Sequence, residues 1–182
     1  MDAALSPTAY VILGMLGLGA RTGYDVKGIV DQSTRFFWAA SYGQIYPELR
    51  KLSAAGLVEG KASPQGGRRR NVYRLTPTGR RELQDWLGVD ADVFELRDEG
   101  LLKLFFAEAA GTDAAIQALE SKRREHERVL AHLEAIDAGG GPQGFAALVL
   151  RYGIECNRWQ AEWCERTIGE LQNEDLNLRR TA

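Results

Sequence analysis

The sequence predicts a mainly α-helical chain in two parts. Three helices, a two-stranded hairpin and a fourth helix come first, and an all-helical half follows. Three observations predict this. Helix-capping signals recur before residue 80 at Ser6-Pro7, Thr22, Ser41 and Thr76-Pro77. Two short β patterns flank the Pro- and Gly-containing stretch 62–70. Charge divides the chain as well: residues 1–88 carry 12 Lys/Arg against 7 Asp/Glu, whereas residues 89–182 carry 11 against 18. A basic part of net +5 joined to an acidic part of net −7 suggests two jobs, and we expect domains at 1–88 and 89–182.

Each element has a local reason. Ser6 caps a helix that opens on Pro7, carries Tyr10, Leu13 and Leu16, and stops at Gly17 and Gly19. Thr22 caps the next, with Asp25 in its first turn and Val26, Ile29 and Val30 as its buried face. Ser41 and Gln44 have capping-box spacing. Ile45, Leu49 and Leu52 then recur at helical spacing until Gly56, a left-handed cap. Pro47 is awkward, because a proline beyond the first turn loosens or bends a helix. Strands are expected over Leu57–Lys61 and Asn71–Leu75, with Tyr73 and Leu75 on one face and Val72 and Arg74 on the other. Thr76-Pro77 starts the fourth helix, toward Leu83, Trp86 and Leu87.

Residues 88–97 read as a hinge. Beyond it, 101–107 is strongly apolar, and Ile116, Leu119, Leu130 and Leu133 follow a seven-residue pattern that Arg123 and His126 interrupt. A Gly-rich turn at 138–144 precedes a last long helix, so antiparallel helices are expected. The last helix carries a broad stripe of Phe145, Val149, Tyr152, Cys156, Trp159 and Trp163.

Composition excludes several classes. The chain is 45% hydrophobic and 26% charged, enough to fold around a core. Two cysteines and two histidines, at Cys156, Cys164, His126 and His132, make neither a disulfide scaffold nor a zinc finger, and no metal site or cofactor is expected. Residues 3–20 carry no charge, but the run lacks a basic start and is broken by Pro7 and three glycines. No membrane association is expected, and a cytoplasmic location is. No phosphate-binding loop, nucleophile elbow or His-Glu-x-x-His is present, so no catalytic residues are expected and the chain does not read as an enzyme.

Three helices followed by a hairpin is the order of a winged helix-turn-helix. A helix enters the major groove, where base edges differ, and a hairpin tip reaches phosphates or the adjacent groove. Ser41, Tyr42, Gln44 and Tyr46 are the polar groups at the start of the third helix, and Arg50 and Lys51 add charge farther along. Gly66 and Gly67 let the hairpin tip approach DNA, and Arg68, Arg69 and Arg70 bring charge. The plainer reading is a solvated basic loop, with Tyr42 or Tyr46 in the core.

The residues themselves carry a resemblance. Ala9-Tyr10-Val11-Ile12-Leu13-Gly14, Thr22-Gly23-Tyr24-Asp25, the run Ser41-Tyr42-Gly43-Gln44-Ile45-Tyr46-Pro47-Glu48-Leu49, and Tyr73-Arg74-Leu75-Thr76-Pro77-Thr78-Gly79 resemble the PadR family of bacterial transcriptional regulators. The likeness spans most of 5–87. That family has a proline in its recognition helix, which accounts for Pro47. Leu96-Arg97-Asp98-Glu99 with Leu102-Lys103-Leu104-Phe105-Phe106 resembles its longer members, which carry a helical C-terminal dimerisation domain. The resemblance implies a homodimer on a pseudo-palindromic operator in double-stranded DNA, most often a repressor, which in some relatives is released by aromatic small molecules. It adds Tyr24 to the expected DNA-binding set.

On this reading Leu102, Phe105, Phe106, Phe145, Val149, Tyr152 and Trp159 belong to dimerisation. Phe94, Tyr152, Trp159 and Trp163, with Arg158 to meet a carboxylate, are alternatively an aromatic effector pocket. The other class of function is a protein-interaction module that uses the winged fold without DNA. The basic first part and the arginine tip argue against it.

Overall fold

The computed structural model describes residues 5–63, 70–91 and 97–173, without the side chains of Ser63 and Arg70. It divides into two compact units, Met1–Val93 and Phe94–Ala182.

In the first unit, α1 (Pro7–Gly17) starts at Ser6, whose Oγ accepts from the Ala9 N–H at 3.2 Å. Before α2 (Gly23–Gln32), Thr22 and Asp25 form a reciprocal capping box: each side chain accepts the other's backbone N–H, at 3.1 and 3.0 Å. A short 3-10 turn, Thr34–Phe36, leads toward α3 (Tyr42–Ala54). Here Gln44 Oε1 accepts from the Ser41 N–H at 2.9 Å, as the capping-box spacing predicts. The helix continues through Pro47. The N–H that proline lacks would have met the carbonyl of Gly43, which lies in an exposed first turn, so little is lost. Gly56 (φ +69°) turns the chain out of α3, as expected.

The hairpin pairs β1 (Val58–Ser63) with β2 (Arg70–Leu75), antiparallel, in a register from Val58 opposite Leu75 to Ser63 opposite Arg70. Both strands are one or two residues longer at the tip than their apolar pattern indicates, because ladder bonds continue after the alternation ends. The Tyr73 N–H donates to the Arg21 carbonyl at 2.7 Å, tying β2 to the approach to α2. Helix α4 (Pro77–Leu87) opens at Thr76, whose Oγ1 accepts from the Gly79 N–H at 3.0 Å.

The core of this unit is Ile12, Leu13, Val26, Val30, Ile45, Leu49, Leu52 and Val58, drawn from three helices and the root of the hairpin. Helix α4 lies against α1 through a ring stack of Trp86 on Tyr10, 4.5 Å between centroids, while Leu87 stays exposed. Glu48 is a buried carboxylate. It accepts from Ser6 Oγ at 2.6 Å and Lys51 Nζ at 3.0 Å, and the Ser6 bond, helped by Lys51 against the effect of burial, lowers its pKa.

The second unit contains α5 (Glu99–Phe105), a 3-10 turn at Ala107–Ala109, α6 (Thr112–Ala138) and α7 (Phe145–Asn173). Helices α6 and α7 pack antiparallel: Lys122 meets Gln160, His126 meets Asn157, and Leu133 lies opposite Gly153. Leu119, Cys164 and Ile168 form the apolar centre, with Leu104 and Trp163 packed against it. The two cysteines are unpaired, and burial pushes the Cys164 thiol up. No helix among the described residues is long and apolar enough to cross a membrane.

Candidate nucleic-acid interface

The outer face of α3 is built from its cap outward. Ile45, Leu49 and Leu52 turn inward, so helical spacing leaves Tyr42, Tyr46 and Arg50 outside. Tyr42 and Tyr46 are 43% and 41% exposed, which makes them surface groups rather than core ones. They form a continuous ring series with Tyr24 of α2. Centroids lie 6.4 Å apart from Tyr24 to Tyr42 and 6.1 Å apart from Tyr42 to Tyr46, with rings inclined by 19° in each pair. Gly23 makes this possible: a Cβ there would stand 2.7 Å from Cε1 of Tyr46. Lys27, which sequence reasoning passed over, places its ammonium 5.8 Å from the Tyr42 centroid and pairs with Asp31. Its only sequence signal is the four-residue spacing to Asp31.

Gln44 Oε1 accepts from both the N–H and the Oγ of Ser41, at 2.9 and 3.1 Å. The cap thus occupies its oxygen and reserves its NH2 as a donor. Lys51 is exposed and tethered to Glu48. Arg50 is exposed and enters no ion pair among the described residues. Gly67, Arg68 and Arg69 lie outside the described residues. Arg70 is described only as a backbone position, paired with Ser63.

The second unit distributes its expected residues differently. Leu102, Phe105, Phe106, Phe145, Val149, Tyr152 and Trp159 are all exposed, from 46% for Val149 to 88% for Phe145. The broad stripe of α7 is therefore not packed inside the unit. Ala161, Cys164 and Ile168 face the interior instead. Trp163 is half-buried in the apolar centre, and Arg158 already donates to Glu134 at 2.7 Å. Phe94 lies outside the described residues. A concavity of this unit, about 900 Å³, is lined by others, including Lys103, Phe106, Ser121, Lys122 and His126. Tyr152, Arg158, Trp159 and Trp163 do not line it. Spacing along α7 placed those four together but was blind to the salt bridge and to the rotation that carries Trp163 inward.

Both halves of the chain match known families in chain order. Residues 12–85 match the transcriptional regulator PadR-like family, and residues 96–172 match the virulence activator alpha C-terminal family. The negative transcriptional regulator PadR of Bacillus subtilis is 29% identical over 91% of this chain and 97% of its own length. Residues 12–85 place the first unit in the PadR-like family of transcriptional regulators. Among solved PadR structures, Bacillus subtilis PadR in complex with operator DNA superposes with a TM-score of 0.82 at 28% identity, over 91% of this chain and 99% of that one. The same protein in complex with p-coumaric acid gives 0.75 at 26% identity, over 96% and 100%. The PadR-like match contains the tyrosine series, the α3 cap and the hairpin; the second match contains the exposed faces of α5 and α7.

Proposed function

We propose that this PadR-family chain is a homodimeric DNA-binding repressor that leaves a pseudo-palindromic operator when a small aromatic effector binds. The observation that carries the reading is the outward face of α3. A capped helix start presents a tyrosine series, a donor amide and a cation from a stretch, residues 1–88, of net +5. The likeness to operator-bound Bacillus subtilis PadR supports DNA as its partner, and the likeness to the p-coumaric acid complex supports the effector class.

The mechanism follows from the geometry. The start of α3 enters the major groove, where Tyr42, Gln44 and Tyr46 meet base edges and Ser41 fixes the helix start. Tyr24 extends the contact from α2. Arg50 and Lys51 meet phosphates, and the hairpin tip, Gly67 to Arg70, adds a second set of cationic contacts. Dimerisation through α5 and α7 places two α3 helices on half-sites about one helical turn apart, so their binding energies add. An effector that favours a different arrangement of the dimer removes that spacing and releases the DNA. Tyr152, Trp159 and Trp163 are the aromatic groups in position to report it.

The test is recovery of sheared genomic DNA on the purified protein at near-physiological salt, followed by sequencing, with and without p-coumaric acid as a first effector probe. We expect a few sharp peaks that share an inverted repeat. On the recovered duplex, R68A/R69A/R70A weakens binding to all sequences and flattens the salt dependence, because fewer counterions are released. Wild-type affinity and salt slope in that triple variant would remove the hairpin tip from the interface. No recovered DNA under either condition would favour docking to another protein.

A further inference from the structure

A small cleft opens between the second half of α3 and the hairpin. Its volume is about 300 Å³, and its lining is Arg50, Ser53 and Ala54 from α3, Gly60 from β1, and Asn71 and Tyr73 from β2. That volume is on the order of ten water molecules' share of liquid, enough for a phosphodiester group and its hydration.

We propose that this cleft seats one phosphate of the DNA backbone, held by Arg50, Ser53 and Asn71. The proposal rests on the DNA-binding reading above and extends it to Ser53, Asn71 and Gly60. Four observations carry it. The donors converge from two separate elements: a guanidinium and a hydroxyl from the helix, a carboxamide from the hairpin. Among the described residues no carboxylate lines the cleft, and residues 1–88 around it carry net +5. The floor is fixed, because Tyr73 is buried and its N–H is held by Arg21 at 2.7 Å.

The fourth observation is Gly60. It is exposed in the middle of β1, directly opposite Tyr73. A glycine in a strand weakens the strand and marks places where another group comes close to the backbone. A Cβ at this position would already lie 3.0 Å from Cε1 of Tyr73 and would stand in the floor of the cleft.

The distance along α3 matches a phosphate rather than a base. Arg50 and Ser53 follow Tyr42 by 8 and 11 residues, so they lie about 12 and 16 Å farther along the helix axis. The major groove is about 12 Å wide. A helix whose first turn reads base edges therefore brings its later turns to the groove edge, where the sugar–phosphate strand runs.

The test uses fluorescence anisotropy with the full chain, the recovered operator duplex and an unrelated duplex, across a salt series. Ser53→Glu and Asn71→Asp each place a carboxylate in the cleft and are expected to weaken binding to both duplexes at least tenfold. Gln84→Glu makes the same charge change on the exposed face of α4, and its effect is expected to stay within twofold. A second measurement does not depend on those variants folding. An operator scanned with single neutral methylphosphonates should show one position per half-site where wild type loses affinity and the double variant S53A/N71A loses no more. Additive losses at every phosphate overturn the seat, as does tenfold weakening confined to the operator, which would indicate base reading. Cleft variants that bind like Gln84→Glu overturn it too. Wild-type protein that binds neither duplex overturns the DNA-binding reading and this seat with it.

Discussion

Gly79 is the third residue of α4, where the helix leaves the hairpin. A Cβ there would lie 2.0 Å from the Leu57 carbonyl oxygen and 2.9 Å from its carbon. No rotamer relieves that contact, because both partners are backbone. The same few residues bind together twice more: Thr76 Oγ1 donates to the carbonyls of Gly56 and Leu57 at 2.8 and 3.0 Å. Gly79→Ala should therefore cost about 2–3 kcal/mol by overpacking, read as a lower urea midpoint with an unchanged slope. A midpoint equal to wild type would mean that α4 moves away from Leu57 without penalty. The threonine-proline-threonine-glycine stretch marks a helix start by its caps, but the need for its glycine comes from the backbone of Leu57, 22 residues earlier and just before β1.

Helices α5, α6 and α7 are joined by a polar network where the apolar pattern of α6 is broken. Asp98 caps α5, accepting from the Leu101 N–H at 3.0 Å, and pairs with Lys122 of α6. Lys122 Nζ also lies 3.1 Å from His126 Nε2 and 3.4 Å from Gln160 Oε1. An ammonium donates only, so Nε2 accepts and the ring proton is on Nδ1, directed at Asn157 Oδ1 at 2.9 Å. Burial by itself would raise the Asp98 carboxyl, but Lys122 and the N–H groups of Leu101 and Gly100 outweigh it and hold it below its ordinary value of 3.8. A lowered folded-state pKa gives stability that is complete above the ordinary value and is lost as pH falls through the lowered one. Lys122 is only 8% exposed and Asp98 20%, so Lys122→Met leaves a largely covered carboxylate unpaired. We expect Lys122→Met to lose about 2 kcal/mol at pH 7, with the gap to wild type closing as pH falls below 4. A gap of constant size between pH 7 and pH 2 would show that the pair contributes nothing through charge.

The second unit presents an apolar surface that its own described residues leave uncovered. Phe105, Phe106, Phe145, Tyr152 and Trp159 are large exposed side chains of one acidic unit, and scattered exposure alone does not explain so many. A second copy covering them gives the dimer of the proposed function. Sedimentation should show a dimer at micromolar concentration, and Phe105→Asp with Tyr152→Asp should shift it to monomer. The monomer should bind the operator at least tenfold more weakly, since one half-site replaces two. A variant that stays dimeric places the interface elsewhere. The charge asymmetry then has two uses: net +5 over residues 1–88 toward DNA, and net −7 over residues 89–182 on the half that the DNA backbone repels.

Local signals in the chain set where the four helices of the first unit begin. Ser6, Thr22, Ser41 and Thr76 cap their helices as their spacing indicates, because a cap is a contract among residues three or four apart. Such signals also set the chemistry of α3's outer face, since the positions of Ile45, Leu49 and Leu52 dictate which residues turn away from the core. Tertiary structure alone decided the rest. The stripe from Phe145 to Trp163 reads as one apolar face, yet Trp163 packs inward, Trp159 does not, and Arg158 is held by Glu134 from 24 residues away. The Lys122 network and the cleft between Arg50 and Asn71 join residues from different elements. Their distances depend on helix rotation and hairpin register, which the packing of the whole unit sets and no local window contains.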